Sequence, residues 1–275
     1  MTKALEPNMR RVAFTLTAVA LVLTGCGSSG TTSGGGGAAS AVASSPSSTS
    51  ALSGTVNVFA AASLKEAFTK LGATFESAHP GTKVVLNFGP SSGLATQITS
   101  GAPADVFASA STKSMDLVVK AGAASAPRDF AKNSMEIAVP PKNPAGIAQV
   151  SDLAKSGVKV ALCQAAVPCG TTATKVFTNV KITVTPVTQE VDVKAVLAKV
   201  SLGEVDAGVV YVTDVLAAGN KVRGIVIPAA VNASTTYPIA PLARSANAAA
   251  AQAFTDYVLS ADGAAALAAA GFAKP

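Results

Sequence analysis

From residue 55 onward the chain alternates short apolar runs with amphipathic stretches. "TVNVFAAA" reads as a strand, and "SLKEAFTKLGATFESAH" follows at helical period with Leu64, Ala67, Phe68, Leu71 and Phe75 on one face. "KVVLNFG" and "SSGLATQITSG" give a second strand and a short helix, and "ADVFASA" and "STKSMDLVVKAG" a third pair. Strands alternating with helices at this spacing predict βαβ units, an α/β fold with mainly parallel sheets flanked by helices. The pattern then restarts. "SMEIAVP" and "VSDLAKSG" read as strand and helix, as do "VKVALC" with "GTTATKVFTNV", "KITVTPV" with "VDVKAVLAKVSLG", and "VDAGVVY" with "TDVLAAG". "KVRGIVIP" and the stretch from Thr235 add two more strands, and two alanine-rich helices close the chain. This succession suits two lobes better than one wide sheet, with crossings near Asn133 and Ser234. Lobe 1 is then 54–133 plus 235–275, and lobe 2 is 134–234. Two crossings make a two-strand hinge, and the cleft between lobes is a natural ligand site.

The first 53 residues do not follow this pattern. Lys3, Arg10 and Arg11 precede "VAFTLTAVALVLTG", an apolar run too short to span a bilayer comfortably, so residues 1–25 read as a signal peptide. The run ends in "LTGC", which resembles a bacterial lipobox and makes Cys26 the expected lipid attachment point. An ordinary secretion signal with an incidental cysteine is the plainer alternative. Several acyl groups on one cysteine would hold the protein to a membrane surface, here the outer face of the cytoplasmic membrane. Residues 26–53 are then the lipidated cysteine and a Gly/Ser-rich tether with a reach of about 30 Å.

The segment 1–25 holds three of the 21 basic and one of the 15 acidic residues, so its removal lowers the net charge from +6 to +4. No lysine–arginine cluster interleaved with aromatics is present, which gives nucleic-acid binding no support. Cys163 and Cys169 lie in "LCQAAVPCG". In an exported protein they predict a disulfide across this loop. A metal site would need further ligands, and the lone histidine, His79 in "SAHPG", reads as a surface turn residue.

Candidate chemistry sits at four helix starts: Ser63, the pair Ser91 and Ser92, Cys169 with Gly170 and Thr171, and Val193. Each offers unpaired N–H groups at the positive end of a helix dipole. In open α/β sheets such turns lie at the carboxyl ends of strands, where ligands bind, and several converging would hold a small anion without lysine or arginine. Each also has a plain structural reading. "SLKE" is a capping box for Ser63, Ser91 and Ser92 are ordinary N-caps, Val193 is a helix residue, and Tyr211 is a strand-end tyrosine. Neither a G-x-S-x-G elbow nor a base near Ser63 supports a hydrolase, so no enzyme is expected. A ferric site would want several tyrosines or carboxylates, and Tyr211, Tyr237 and Tyr257 are widely separated in sequence.

Taken in order, "VFAAASL", "FGPSSGLATQI", "GAPADVFASAS", "VPCG" and "AGVVY" resemble the bacterial periplasmic molybdate-binding proteins, the solute receptors of molybdate ABC importers. The likeness runs from about Thr55 to the C-terminal "GF". It implies a two-lobe periplasmic-binding-protein fold of type II with molybdate or tungstate in the cleft, held by neutral donors. Those donors fall on the hydroxyl and N–H of Ser63, the hydroxyl of Ser91 with Ser92 as rival, the N–H of Cys169, the N–H of Val193, and the hydroxyl of Tyr211. Molybdenum enters only as the oxyanion, without protein–metal ligands and without a cofactor. The implied partners are the permease and ATPase of an ABC importer, with the receptor a monomer. The cysteine at the centre of "P-C-G" departs from the small residue common in relatives. A bridge to Cys163 would stiffen the loop and fix its N–H, which suits a preorganised site. The alternative is a receptor for another oxyanion. Sulfate differs in size, and hydrogen phosphate would want a carboxylate such as Asp105, Glu190 or Asp192.

Overall fold

The computed structural model describes residues 52–275; the expected signal peptide, Cys26 and the tether up to residue 51 lie outside them. Two sheets with flanking helices make up the described chain. In the first, β1 (Gly54–Ala61) is central, with β2 (Thr82–Gly89) and β3 (Val106–Ala108) parallel to it on either side. Its helices are α1 (Lys65–Ala78), α2 (Ser91–Thr99) and α3 (Thr112–Lys120). In the second, β5 (Val160–Cys163) lies between β6 (Thr188–Glu190) and β7 (Ala207–Tyr211), again parallel, with α4 (Pro168–Val180), α5 (Val193–Ser201) and α6 (Val212–Ala218). Each trio is the βαβ arrangement that the periodicity predicts.

Two long strands join the sheets. β4 (Arg128–Val139) runs antiparallel to β9 (Ser234–Pro241) through Ser134, and from Met135 onward it pairs with β7. β8 (Arg223–Val226) adds to the other side of β4. The chain therefore leaves the first sheet between Ser134 and Met135 and returns at Ser234. The pairings made by β4, β8 and β9 are antiparallel, so the sheets are mixed around parallel cores. Burial follows the same division. One apolar cluster draws its buried residues from Met135 to Ile227, and the other two from Val56–Ala131 and Tyr237–Phe272. Helices α7 (Ala248–Leu259) and α8 (Ala261–Ala269) pack Phe254, Val258 and Leu267 into the first sheet's core.

Three expected elements differ. "VSDLAKSG" forms a single 3₁₀ turn, Val150–Ala154, closed by Asp152, whose carboxylate accepts from Ala148 N and Gln149 N. The strand expected at "KITVTPV" is absent from that stretch, and the paired residues are Thr188–Glu190 beyond Pro186. β1 does not pass directly into a helix. A 3₁₀ turn, Ala62–Leu64, comes between.

Candidate functional site

The carboxyl ends of β1, β2, β3 and β7 and the first turns of α2, α4 and α5 converge on one small cavity. Ser63, Ser91, Cys169, Val193 and Tyr211 all lie in its wall; Ser92 does not. Among the described residues that line it there is no lysine or arginine. Ala61, Ala62 and Ala110 line it as well, and their short side chains let backbone come close.

The turn Ala62–Leu64 changes the reading of Ser63. Helix α1 starts at Lys65 with Leu64 as its N-cap and no side-chain cap bond, so the "SLKE" capping box does not form. Ser63 is one residue too early for it. Its Oγ lies 2.8 Å from Tyr237 Oη instead, and Glu66 reaches away to Lys194. Ser91 is likewise not the N-cap of α2. It is the first helical residue after Pro90, and its Oγ accepts the Ala110 N–H at 2.9 Å. That bond occupies a lone pair and leaves the hydroxyl proton to be donated elsewhere.

Cys169 follows Pro168 in the first turn of α4, where proline is tolerated because its missing N–H would have no intrahelical partner. Cys163 and Cys169 are joined by a disulfide, as their loop predicts. The next residue is glycine for a steric reason: a Cβ at Gly170 would sit 2.0 Å from the Gln164 carbonyl oxygen. At α5, Asp192 is the N-cap and its Oδ1 accepts from Lys194 N at 2.9 Å and Ala195 N at 3.0 Å. The N–H groups of Cys169 and Val193 belong to first turns, where no preceding carbonyl of the helix is available.

Tyr211 ends β7 with 1% exposure, and its hydroxyl has no hydrogen-bond partner among the described residues. Thr172 lies near enough to ease its ionisation, yet the Thr172 Oγ1 donates to Pro168 O and completes no bond to the tyrosine. Burial first, and Tyr237 next, hold the phenol well above its ordinary pKa, so it stays a donor.

Sequence reasoning missed three groups around this wall. Tyr237 is one; it stands 6.3 Å from Tyr211 between ring centroids, so two of the tyrosines taken as separate are neighbours in space. Lys194 and Asp214 are the others. Lys194 Nζ lies 2.7 Å from Glu66 Oε2 and 2.9 Å from Asp214 Oδ1, while Asp214 Oδ2 accepts from Tyr211 N. Burial lifts Asp214 to about 6 despite the lysine, because the acid is wholly enclosed and Lys194 is not. The cap at Asp192 did have a signal, an aspartate directly before the apolar turn "VKAV". Of the three carboxylates named as proton acceptors, only Asp192 lines the cavity. Asp105 is held by Asn57, Ser245 and Ala246, and Glu190 accepts from Thr188. His79 stacks on Phe75 at the far end of α1. Among the described residues no cluster of His, Cys, Asp and Glu could hold a metal ion, and no helix is long and apolar enough to cross a membrane.

Two α/β halves joined by two strands, with a donor-lined cavity between them, define a binding protein of the type II periplasmic class. Residues 56–273 match the bacterial extracellular solute-binding protein family, and the chain belongs to it. It is 44% identical over 222 residues to the molybdate-binding protein ModA of Mycobacterium tuberculosis H37Rv, an alignment covering 80% of this chain and 85% of that one. A solved substrate-binding domain assigned to a molybdenum ABC transporter of Clostridium difficile is 30% identical, with a TM-score of 0.61, covering 80% of this chain and 99% of that one. The periplasmic molybdate-binding protein of Azotobacter vinelandii superposes with a TM-score of 0.71 at 22% identity over 80% of this chain and 99% of that one, a likeness of fold.

Proposed function

We propose that this protein captures molybdate, and tungstate with it, in the cavity between its halves and delivers the anion to the permease of an ABC importer. The carrying observation is chemical. The residues that carry three hydroxyls and the first-turn N–H groups of two helices line one cavity whose described wall has no basic side chain. A tetraoxo dianion is an acceptor on every side, and such a wall meets it with neutral donors and helix dipoles in place of basic side chains. The buried Tyr211 hydroxyl, unpartnered among the described residues, is the group most in need of such a ligand. The protein is read as a receptor and not an enzyme. Ser63 is bonded to a tyrosine, and the only histidine is roughly 20 Å away along α1. A lipid anchor at Cys26, a monomeric state and the absence of a cofactor belong to the same proposal.

Asp192 favours a second reading, because its carboxylate in the cavity wall could accept the proton of hydrogen phosphate. Its Oδ1 is already shared by two N–H groups of α5, and its charge opposes a dianion. Thermal melting with molybdate, tungstate, sulfate and phosphate in parallel separates the readings. At a thousandfold excess over Kd the true ligand adds about 4 kcal/mol. Molybdate and tungstate are expected to raise the midpoint by several degrees, and a larger shift with phosphate or sulfate would overturn the assignment.

A further inference from the structure

Ser63 lines the cavity, yet its hydroxyl is also engaged from behind. Its Oγ lies 2.8 Å from Tyr237 Oη. A serine hydroxyl has one proton and two lone pairs, and a tetraoxo dianion offers acceptors only. If Ser63 bonds the anion, its single proton is spent there, and the bond to Tyr237 survives only with the tyrosine as donor.

Tyr237 is built for that part. It is fully buried on β9, with its ring edge-on to those of Phe130, Tyr211 and Phe272, so its hydroxyl oxygen is held in place. Burial holds its pKa well above the ordinary phenol value, which keeps the proton in place throughout the neutral range. With the serine proton given to the ligand, the Tyr237 hydroxyl has the serine lone pair to donate into. Ser91 shows the same device in simpler form, its lone pair filled by Ala110 N.

We infer that Tyr237, which does not line the cavity, is a positioning residue for anion binding: its hydroxyl donates to Ser63 Oγ and so commits the serine proton to the ligand. The inference rests on the oxyanion reading above and deepens it. It also bears on selectivity. A ligand carrying its own proton needs an acceptor, and a Ser63 lone pair filled by Tyr237 is closed to it.

Calorimetric titration of sodium molybdate into the parent protein, Ser63→Ala, Tyr237→Phe and the double variant tests this. Tyr237→Phe is expected to weaken binding about tenfold, the equivalent of one hydrogen bond, and to weaken it no further when Ser63 is already alanine. It is also expected to narrow the preference for molybdate over phosphate. The same fold loss in both backgrounds would show Tyr237 acting through packing, and no loss in the single variant would remove its role; either result overturns the inference while leaving the oxyanion reading intact. A parent that binds no molybdate overturns both. Should Tyr237→Phe not fold, 3-fluorotyrosine at position 237 keeps the packing and gives a stronger donor. Tighter molybdate binding is then expected, and an unchanged affinity overturns the inference.

Discussion

A buried hydroxyl left without a partner costs about 1–3 kcal/mol, and the cavity keeps one at Tyr211. Packing alone gives no reason for the oxygen: the ring sits among apolar neighbours on β7, and a phenylalanine would fill the same space. The hydroxyl is explained if its partner arrives with the ligand. This makes an unusual expectation for a fully buried tyrosine. Tyr211→Phe should leave the melting temperature of the ligand-free protein unchanged or raise it, while weakening molybdate binding tenfold or more, measured by differential scanning and titration calorimetry on the same samples. A lowered ligand-free melt with unchanged affinity would make Tyr211 a structural residue. Ser63 and Ser91 follow the same logic less openly, since each lines the cavity and already makes one bond within the protein.

Helices matter here chiefly through their first turns, and the β5–α4 connection shows how tightly one is set. Gly170 is held against the Gln164 carbonyl, Pro168 opens the helix, and the disulfide ties Cys169 back to the end of β5. The N–H of Cys169 is thereby aimed by covalent and steric constraint. Closing so short a loop is worth about 2 kcal/mol in the chain-entropy account. Reduction, or replacement of both cysteines by serine, is expected to lower the melt by about that amount and to weaken molybdate binding several-fold. A lower melt with unchanged affinity would confine the bridge to stability. The positions of these helix starts were legible in the sequence, because a parallel strand buried on both faces reads as an apolar run and its helix follows at once. The resemblance then named candidate donors, and their residues share one cavity wall. What stayed hidden has a common cause. Tyr237 meets Ser63 across 174 residues and Lys194 meets Glu66 across 128, and no local pattern encodes such pairings. The Ser63 capping box was legible and absent, because one 3₁₀ turn between β1 and α1 moved the serine off the cap position.

At the scale of the molecule, the two halves are joined by β4 and β9 and also by a charge contact beside the cavity. Glu66 belongs to α1 of the first half, while Lys194 and Asp214 belong to α5 and α6 of the second. Lys194 follows Val193, and Asp214 holds the Tyr211 N–H, so this trio anchors three walls of the site at once. Its members are not equivalent. Glu66 is 49% exposed at its side chain and its pairing is screened by water, worth at most about 1 kcal/mol. Asp214 is wholly buried, and removing its lysine would strand a carboxylate in a low dielectric, a loss of about 3 kcal/mol. The sign with pH follows from Asp214's raised pKa of about 6. The folded protein holds that proton more tightly than the unfolded chain, so the stability linked to this group is full below about pH 4 and is lost as pH rises through 6. Without Lys194 the folded pKa rises further, and the native state keeps the proton to higher pH. Lys194→Met should therefore melt well below the parent at pH 7.5 and approach it at pH 5, where Asp214 is neutral in both. Glu66→Gln should show little change at either pH. A gap for Lys194→Met that is constant from pH 5 to 7.5 would mean that the lysine contributes through its aliphatic stem, and that the buried charge does not hold these walls together.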